Sequence, residues 1–205
     1  MPRIVKKSRK KRQIAICAID LISENGLAKT SVEAIAKAAN VGKGTVYIYF
    51  KTKEEIIIEI WEYVCELLAN ERKIRCKNTQ SVFEKIAIFF DFSLLEQNGL
   101  LDKLLRIYAT NISIVLTSAS TPLRENFNQK IQEDIKSIKT IIDEGITNKQ
   151  IQKVDSQLVA SVFMNHFSGT LINGICKNLD IAELRSKLQT QRELLLSLLV
   201  KEGQL

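Results

Sequence analysis

Glycine and proline are scarce in this chain, with 8 and 2 among 205 residues. That supply is too small for a turn-rich β architecture or for long linkers. Histidine occurs once, as His166. The four cysteines, Cys17, Cys65, Cys76 and Cys176, show neither CxxC spacing nor a histidine placed to join them. No metal is expected, and reduced thiols packed in helices are the plain reading. No apolar run approaches the roughly 18 residues that a bilayer span needs. The basic start has no apolar stretch behind it, so a secretory signal is not expected and a cytoplasmic protein is. There is no glycine-rich phosphate loop and no defensible spacing of acid, base and nucleophile. No cofactor and no enzymatic activity are therefore expected.

What the chain does have is helical periodicity and a lopsided charge. Hydrophobic residues make up 45% and recur at three- and four-residue intervals. Residues 1–53 hold 12 Lys/Arg and three acids, a net +9, while the remainder nets −2. Seven bases and no acid fall in residues 1–13. Such a region is drawn to a phosphate backbone and binds it in a salt-sensitive way. A membrane-surface arm is the competing reading, but the aromatic and apolar wedge of such an anchor is missing. Residues 1 to about 8 are expected to be a flexible arm, with Arg3, Lys6, Lys7 and Arg9 following the DNA backbone or entering a minor groove.

Between Ala34 and Phe50 the chain reads AIAKAANVGKGTVYIYF. A short helical pattern ends at Ala39, a turn occupies Asn40 to Lys43, and a second short helix opens near Gly44. Asn40 sits where the chain reverses and positive φ is favoured. Val41 is the apolar pin, and Gly42 is a permissible N-cap. Two short helices joined this tightly form a helix-turn-helix, whose second helix lies in a DNA major groove. Lys43, Gly44 and Thr45 form its first turn. Gly44 lets the backbone come close to DNA. The hydroxyls of Tyr47 and Tyr49 suit phosphate oxygens, and Lys53 is placed to reach the backbone just beyond the helix.

The stretch TSVEAIAKAANVGKGTVYIYFKTKEEI resembles the DNA-binding signature of the TetR family of bacterial transcriptional regulators. The resemblance rests on Thr30, Val32, Ile35, Ala36, Ala39, Val41, Gly44, Thr45, Tyr47, Phe50, Lys53 and Glu54. It extends back through IAICAIDLISENG, covering about Gln13 to Ile57. Asn40 stands where the family usually has glycine, and Gly42 where it often has serine. The resemblance implies base contact by Lys43 and Thr45, and phosphate contact by Tyr47, Tyr49 and Lys53. Tyr49 reading a base edge, and Tyr47 packing in the core, are the alternatives. It also implies a ligand-responsive repressor that binds an operator as a homodimer through its last two helices.

The expected fold is all-α. A helix-turn-helix DNA-binding domain with its basic arm fills 1–52, and a larger helical ligand-binding and dimerisation domain fills 53–205. Helices are expected from Arg9 to Asn25, capped by Ser8 and stopped by Gly26, and from a Thr30 or Ser31 cap to Ala39. A long one starts at Lys53 behind a Thr52 cap and runs to about Cys76. Ser81 caps the next to about Gln97, followed by Leu100 to Leu116. Thr121-Pro122 opens one that runs to about Glu144, with Gly145 and Asn148 ending it. Asp155 caps another to about Lys177, and Ile181 begins the last. A pocket for a small inducer is expected in the second domain, with Trp61, Phe89, Phe92, Tyr108, Asn111, Met164, Asn165, His166 and Phe167 as candidate lining. Ordinary core packing is the competing reading for each of them. A non-allosteric dimeric DNA-binding protein, and a helical enzyme or carrier with an incidental basic head, are the other functional classes.

Overall fold

The computed structural model describes residues 2–97, 99–117 and 121–200, and leaves aside the side chains of residues 2–6, 94 and 121. Among the described residues every regular element is a helix. In order these are α1 (Pro2–Cys17), α2 (Ile19–Lys29), α3 (Val32–Ala38), α4 (Lys43–Tyr49), α5 (Lys53–Lys77) and α6 (Val82–Phe89). They continue as α7 (Ser93–Gln97), α8 (Leu101–Thr117), α9 (Thr121–Thr147), α10 (Ser156–Cys176) and α11 (Ile181–Ser197).

Short side chains start several of these helices by accepting an otherwise unpaired backbone N–H. Ser31 accepts from Ala34 at 3.1 Å, Thr52 from Glu55 at 3.3 Å, Ser81 from Glu84 at 3.3 Å and Asp155 from Leu158 at 3.0 Å. Asp180 and Glu183 close a reciprocal capping box at the head of α11. Thr30 has a different task from the cap considered for it: its hydroxyl donates to the Gly26 carbonyl at 2.7 Å, tying down the end of α2.

The N-terminal arm is helical rather than flexible, since α1 begins at Pro2. Proline is preorganised for a first helical position, and the lysines and arginines behind it lose little rotamer freedom in a helix. Arg3 and Lys6 have side chains outside the described set. The helix expected from Arg9 to Asn25 is bent at Ala18, whose N–H bonds to Ala15 at 3.0 Å. Its core stripe still runs through Ile14, Ala18 and Ile22, all buried. The helix expected to reach Gln97 breaks after Phe89, where the Asp91 carboxylate accepts from the Ser93 N–H at 2.9 Å. Gly145 does not stop α9, which runs on to Thr147 and gives way at Asn148, the second of the two expected stops. A Cβ on Gly145 would lie 2.9 Å from side-chain atoms of Ile151 and Val82, so this glycine admits their close approach.

The chain forms two compact units, Met1–Leu68 with Leu95–Asn126, and Ala69–Leu94 with Phe127–Leu205. Compactness therefore does not divide at residue 52. In the first unit α8 packs on α2, and Lys103 pairs with Asp20 at 2.8 Å. Ile35, Val46, Phe50, Ile57 and Ile60 are buried in the same unit. The second unit buries Val82, Ile86, Phe89, Phe90, Ile135, Ile138, Ile142, Ile151, Phe163 and Met164 in one cluster.

Candidate nucleic-acid interface

Helix α3 ends in a turn built from backbone alone. The Asn40 N–H donates to Lys37 at 3.1 Å, and the Val41 N–H to Ala36 at 2.9 Å. These two bonds, with Asn40 at φ 50°, make a Schellman stop. Asparagine tolerates that left-handed conformation better than most residues with a side chain, which is why it serves in a position where glycine is favoured. Gly42 then begins α4 without a side-chain cap, its carbonyl accepting from Thr45 at 2.9 Å. Val46 and Phe50, one turn apart, are buried and pin α4 to the three-helix head.

Pinning one face decides what the other presents. Lys43, Gly44, Tyr47 and Ile48 share the exposed side, with Tyr47 at 52% and Ile48 at 68% exposure. Tyr47 is thus not a core residue. Thr45 and Tyr49 lie half-buried on the two shoulders. A Cβ added at Gly44 meets nothing within 4 Å, so the glycine leaves open space at the surface. Ile48 escaped the residue-by-residue reading. The signal for it was available: Val46 and Phe50 must point inward, and the residue midway between them must then point out. An apolar side chain here matches a thymine methyl in a major groove.

The basic residues separate into free and engaged groups. Lys7, Arg9, Lys37 and Lys51 are exposed. Lys53 is not available for phosphate in this geometry, contrary to the role expected of it. Its ammonium donates to the carbonyls of Leu27 at 2.8 Å, Ala28 at 3.0 Å and Thr30 at 3.2 Å. An ammonium has three donors, and here all three close the end of α2. Lys11 and Arg12 also turn inward, to the buried Glu59 of α5 at 2.8 and 3.0 Å. Arg12 bonds Glu66 as well, at 3.1 Å through its second terminal nitrogen. The Glu66 carboxylate, against the opposing effect of burial and with help from Glu59, holds the Arg12 proton even more tightly than usual. Lys43 pairs with Glu33 across the turn. Hydrogen bonding to Lys43 lowers the Glu33 carboxyl below its ordinary range, and Glu33 raises the Lys43 amine.

The candidate pocket residues do not gather into one set within either unit. Trp61, Tyr108 and Asn111 belong to the first, and Phe89, Phe92, Met164, Asn165, His166 and Phe167 to the second. Trp61 and Tyr108 meet with ring centroids 5.8 Å apart. Asn111 is buried. Phe90 packs on Phe163 at 5.8 Å and on Phe167 at 5.3 Å, and Phe92 stacks on Phe167 at 5.3 Å. Asn165 and His166 are exposed on α10, so neither lines an interior site. The hollow beside Phe90, Phe163, His166 and Phe167 measures only about 10 Å³. That is room for a water and not for an inducer. A hollow of about 410 Å³ in the second unit is lined by other residues, among them Arg75, Asn78, Asp91 and Arg192.

Residues 17–60 match the family described as bacterial regulatory proteins, tetR family. The fatty acid metabolism regulator protein of Bacillus subtilis is 29% identical over 153 residues, which span 72% of this chain and 73% of that one. A crystal structure of the transcriptional regulator FadR from Bacillus subtilis, in complex with stearoyl-CoA, superposes with a TM-score of 0.73 at 26% identity. That match covers 89% of this chain and 96% of the other. The fatty acid degradation regulator FadR of Bacillus halodurans shares the fold with a TM-score of 0.75 at 24% identity, over 91% and 94% of the two chains.

Proposed function

We propose that this chain, which belongs to the TetR family of bacterial regulatory proteins, is a dimeric repressor that a small molecule releases from its operator. The observation that carries the reading is the outer face of α4, where Gly44, Tyr47 and Ile48 stand exposed beside Lys43, itself exposed and paired with Glu33. Lys43 and Thr45 at the N-terminal end are assigned to bases, Ile48 to a thymine methyl, and Tyr47 and Tyr49 to phosphates. Lys7, Arg9, Lys37 and Lys51 supply further charge toward the duplex.

Two such helices are needed, because palindromic half-sites recur about 34–36 Å apart. Helix α10 supports a two-fold partner. Leu158, Val162, Asn165, Gly169 and Ile172 recur at alternating four- and three-residue steps, and all are exposed. Leu194 and Leu198 of α11 are each 63% exposed. A second copy of the same face is the natural cover for such a stripe.

The ligand class favoured by the Bacillus subtilis relative is a long-chain acyl-CoA, since that protein was crystallised with stearoyl-CoA. Bound ligand would act by population shift, favouring a spacing of the two α4 helices that no longer fits successive grooves. This requires different ligand affinities for free and operator-bound dimer. Selection from random duplex DNA, followed by titration of stearoyl-CoA against the selected complex, tests both halves. A palindromic site released by the ligand is the expected result. Equal ligand affinity for free and DNA-bound protein would remove the inducer mechanism, and failure to select any sequence would remove the regulator reading.

A further inference from the structure

The interior of the first unit contains an amide that the fold does not use. Asn111 lies mid-way along α8, and none of its surface reaches solvent. Neither its side-chain nitrogen nor its oxygen has a hydrogen-bond partner. Polar side chains elsewhere on these helices solve the same problem by bonding back one turn. Thr110, Thr117, Thr140, Thr147 and Thr170 each donate to the carbonyl four residues earlier. Asn111 does not. A buried donor and acceptor that have lost water without replacement lower the stability of the ligand-free fold.

Its surroundings combine an aromatic pair with a further unmatched amide oxygen. Ile107 and Tyr108 precede Asn111 by about one turn on the same buried face of α8. The Tyr108 ring meets Trp61 of α5. The next residue of α5, Glu62, accepts from the amide nitrogen of Asn126 at 3.2 Å, and the oxygen of Asn126 is itself buried without a partner. Two helices of one unit, α8 and α9, therefore hold unmatched amide atoms, and an aromatic pair joins α8 to α5.

The chemistry of the missing partner follows from the donor set. An asparagine offers a donor and an acceptor side by side. A carboxylate would answer only the donor, and a hydrocarbon neither. A secondary amide answers both. We infer that Asn111 is the polar anchor of an internal site on α5 and α8, and that the ligand carries a secondary amide beside an apolar portion lying against Trp61 and Tyr108. This rests on the ligand-responsive reading above and narrows it: the pantetheine arm of an acyl-CoA has such amides, and a free fatty acid has none.

The experiment compares wild type with Asn111→Leu, similar in volume but without the amide, using stearoyl-CoA and stearate as probes. Asn111→Ala, which only removes atoms, is read in the same way and guards against a leucine that does not fit. The expected result is about a tenfold loss of stearoyl-CoA affinity, the worth of one to two hydrogen bonds. Stearate and operator affinities should be unchanged, and the ligand-free leucine variant should melt a few degrees higher. Undiminished stearoyl-CoA affinity in both variants, or an equal loss for stearate, overturns the assignment while the regulatory reading stands. A wild-type protein that holds its operator but binds no stearoyl-CoA overturns the amide-bearing ligand in the same way. A wild type that selects no duplex at all removes both.

Discussion

Two faces of this molecule expose large apolar side chains, and they are built differently. The outer side of α4 places Tyr47 and Ile48 among Lys43 and Gly44 on a helix of 7 residues. The outer side of α10 carries Leu158, Val162 and Ile172 in register along a helix of 21 residues. A stripe that long can bury itself against a second helix, whereas about two turns cannot. The short face instead mixes one cation, a hydroxyl, a bare backbone and a branched alkyl group, which is the vocabulary of a base-pair edge. Exposure of an apolar residue alone does not reveal its partner. Helix length and the charge beside the residue do.

Charging the long face should have the largest effect. Leu158→Glu on α10, together with Leu194→Glu on the neighbouring α11, is expected to leave a folded monomer by analytical ultracentrifugation. Operator affinity should fall by about a hundredfold or more, because the second half-site contact is no longer intramolecular. A dimer that persists would move the interface elsewhere.

On the short face, Lys43→Ala should relax sequence preference at one position of each half-site, by about tenfold or more in a selection experiment. Ile48→Ala should cost about 1 kcal/mol at a thymine and nothing at other bases. Neither change should alter the dimer, and a shift in assembly state from either one would erase the distinction between the two faces.

Lys53→Met separates the two roles open to that residue. With the ammonium spent on three carbonyls, the variant should lose about 2 kcal/mol of stability and leave the salt dependence of operator binding unchanged. A phosphate contact would instead lower the logarithmic salt slope by about one.

The smallest effect concerns pH. The Glu33 carboxyl is held below its ordinary value by its bond to Lys43, so the pair is present above that range and is lost only as pH falls through the lowered value. The Lys43 amine is raised by Glu33, so its half is lost only on the alkaline side of the usual lysine range. Both groups stay charged between about pH 6 and pH 8. Operator affinity should be flat across that interval, and a step within it would reveal another titrating group at the interface.

The helix-turn-helix was legible because its determinants lie within a few residues of one another. Asn40 at the reversal and the caps Ser31, Thr52, Ser81 and Asp155 all behave as their local chemistry requires. The helical arm and the bend at Ala18 were not read correctly, because a basic run says that a segment is solvated without saying whether it is coiled. His166 and Asn165 were misplaced indoors for a related reason. α10 is apolar nearly all round, so its period does not say which side faces solvent.

The helices, most of their ends, the tight turn and the basic bias of the first quarter follow from residue order alone, since each depends on neighbours no more than about a turn away. Packing in three dimensions settles which charges remain free. Lys53 meets carbonyls 23 to 26 positions back, and Arg12 meets acids 47 and 54 positions ahead. It also settles that Asn111 is enclosed without a partner. A hydrogen bond has to be closed in space, and proximity across such separations is written nowhere in the local pattern.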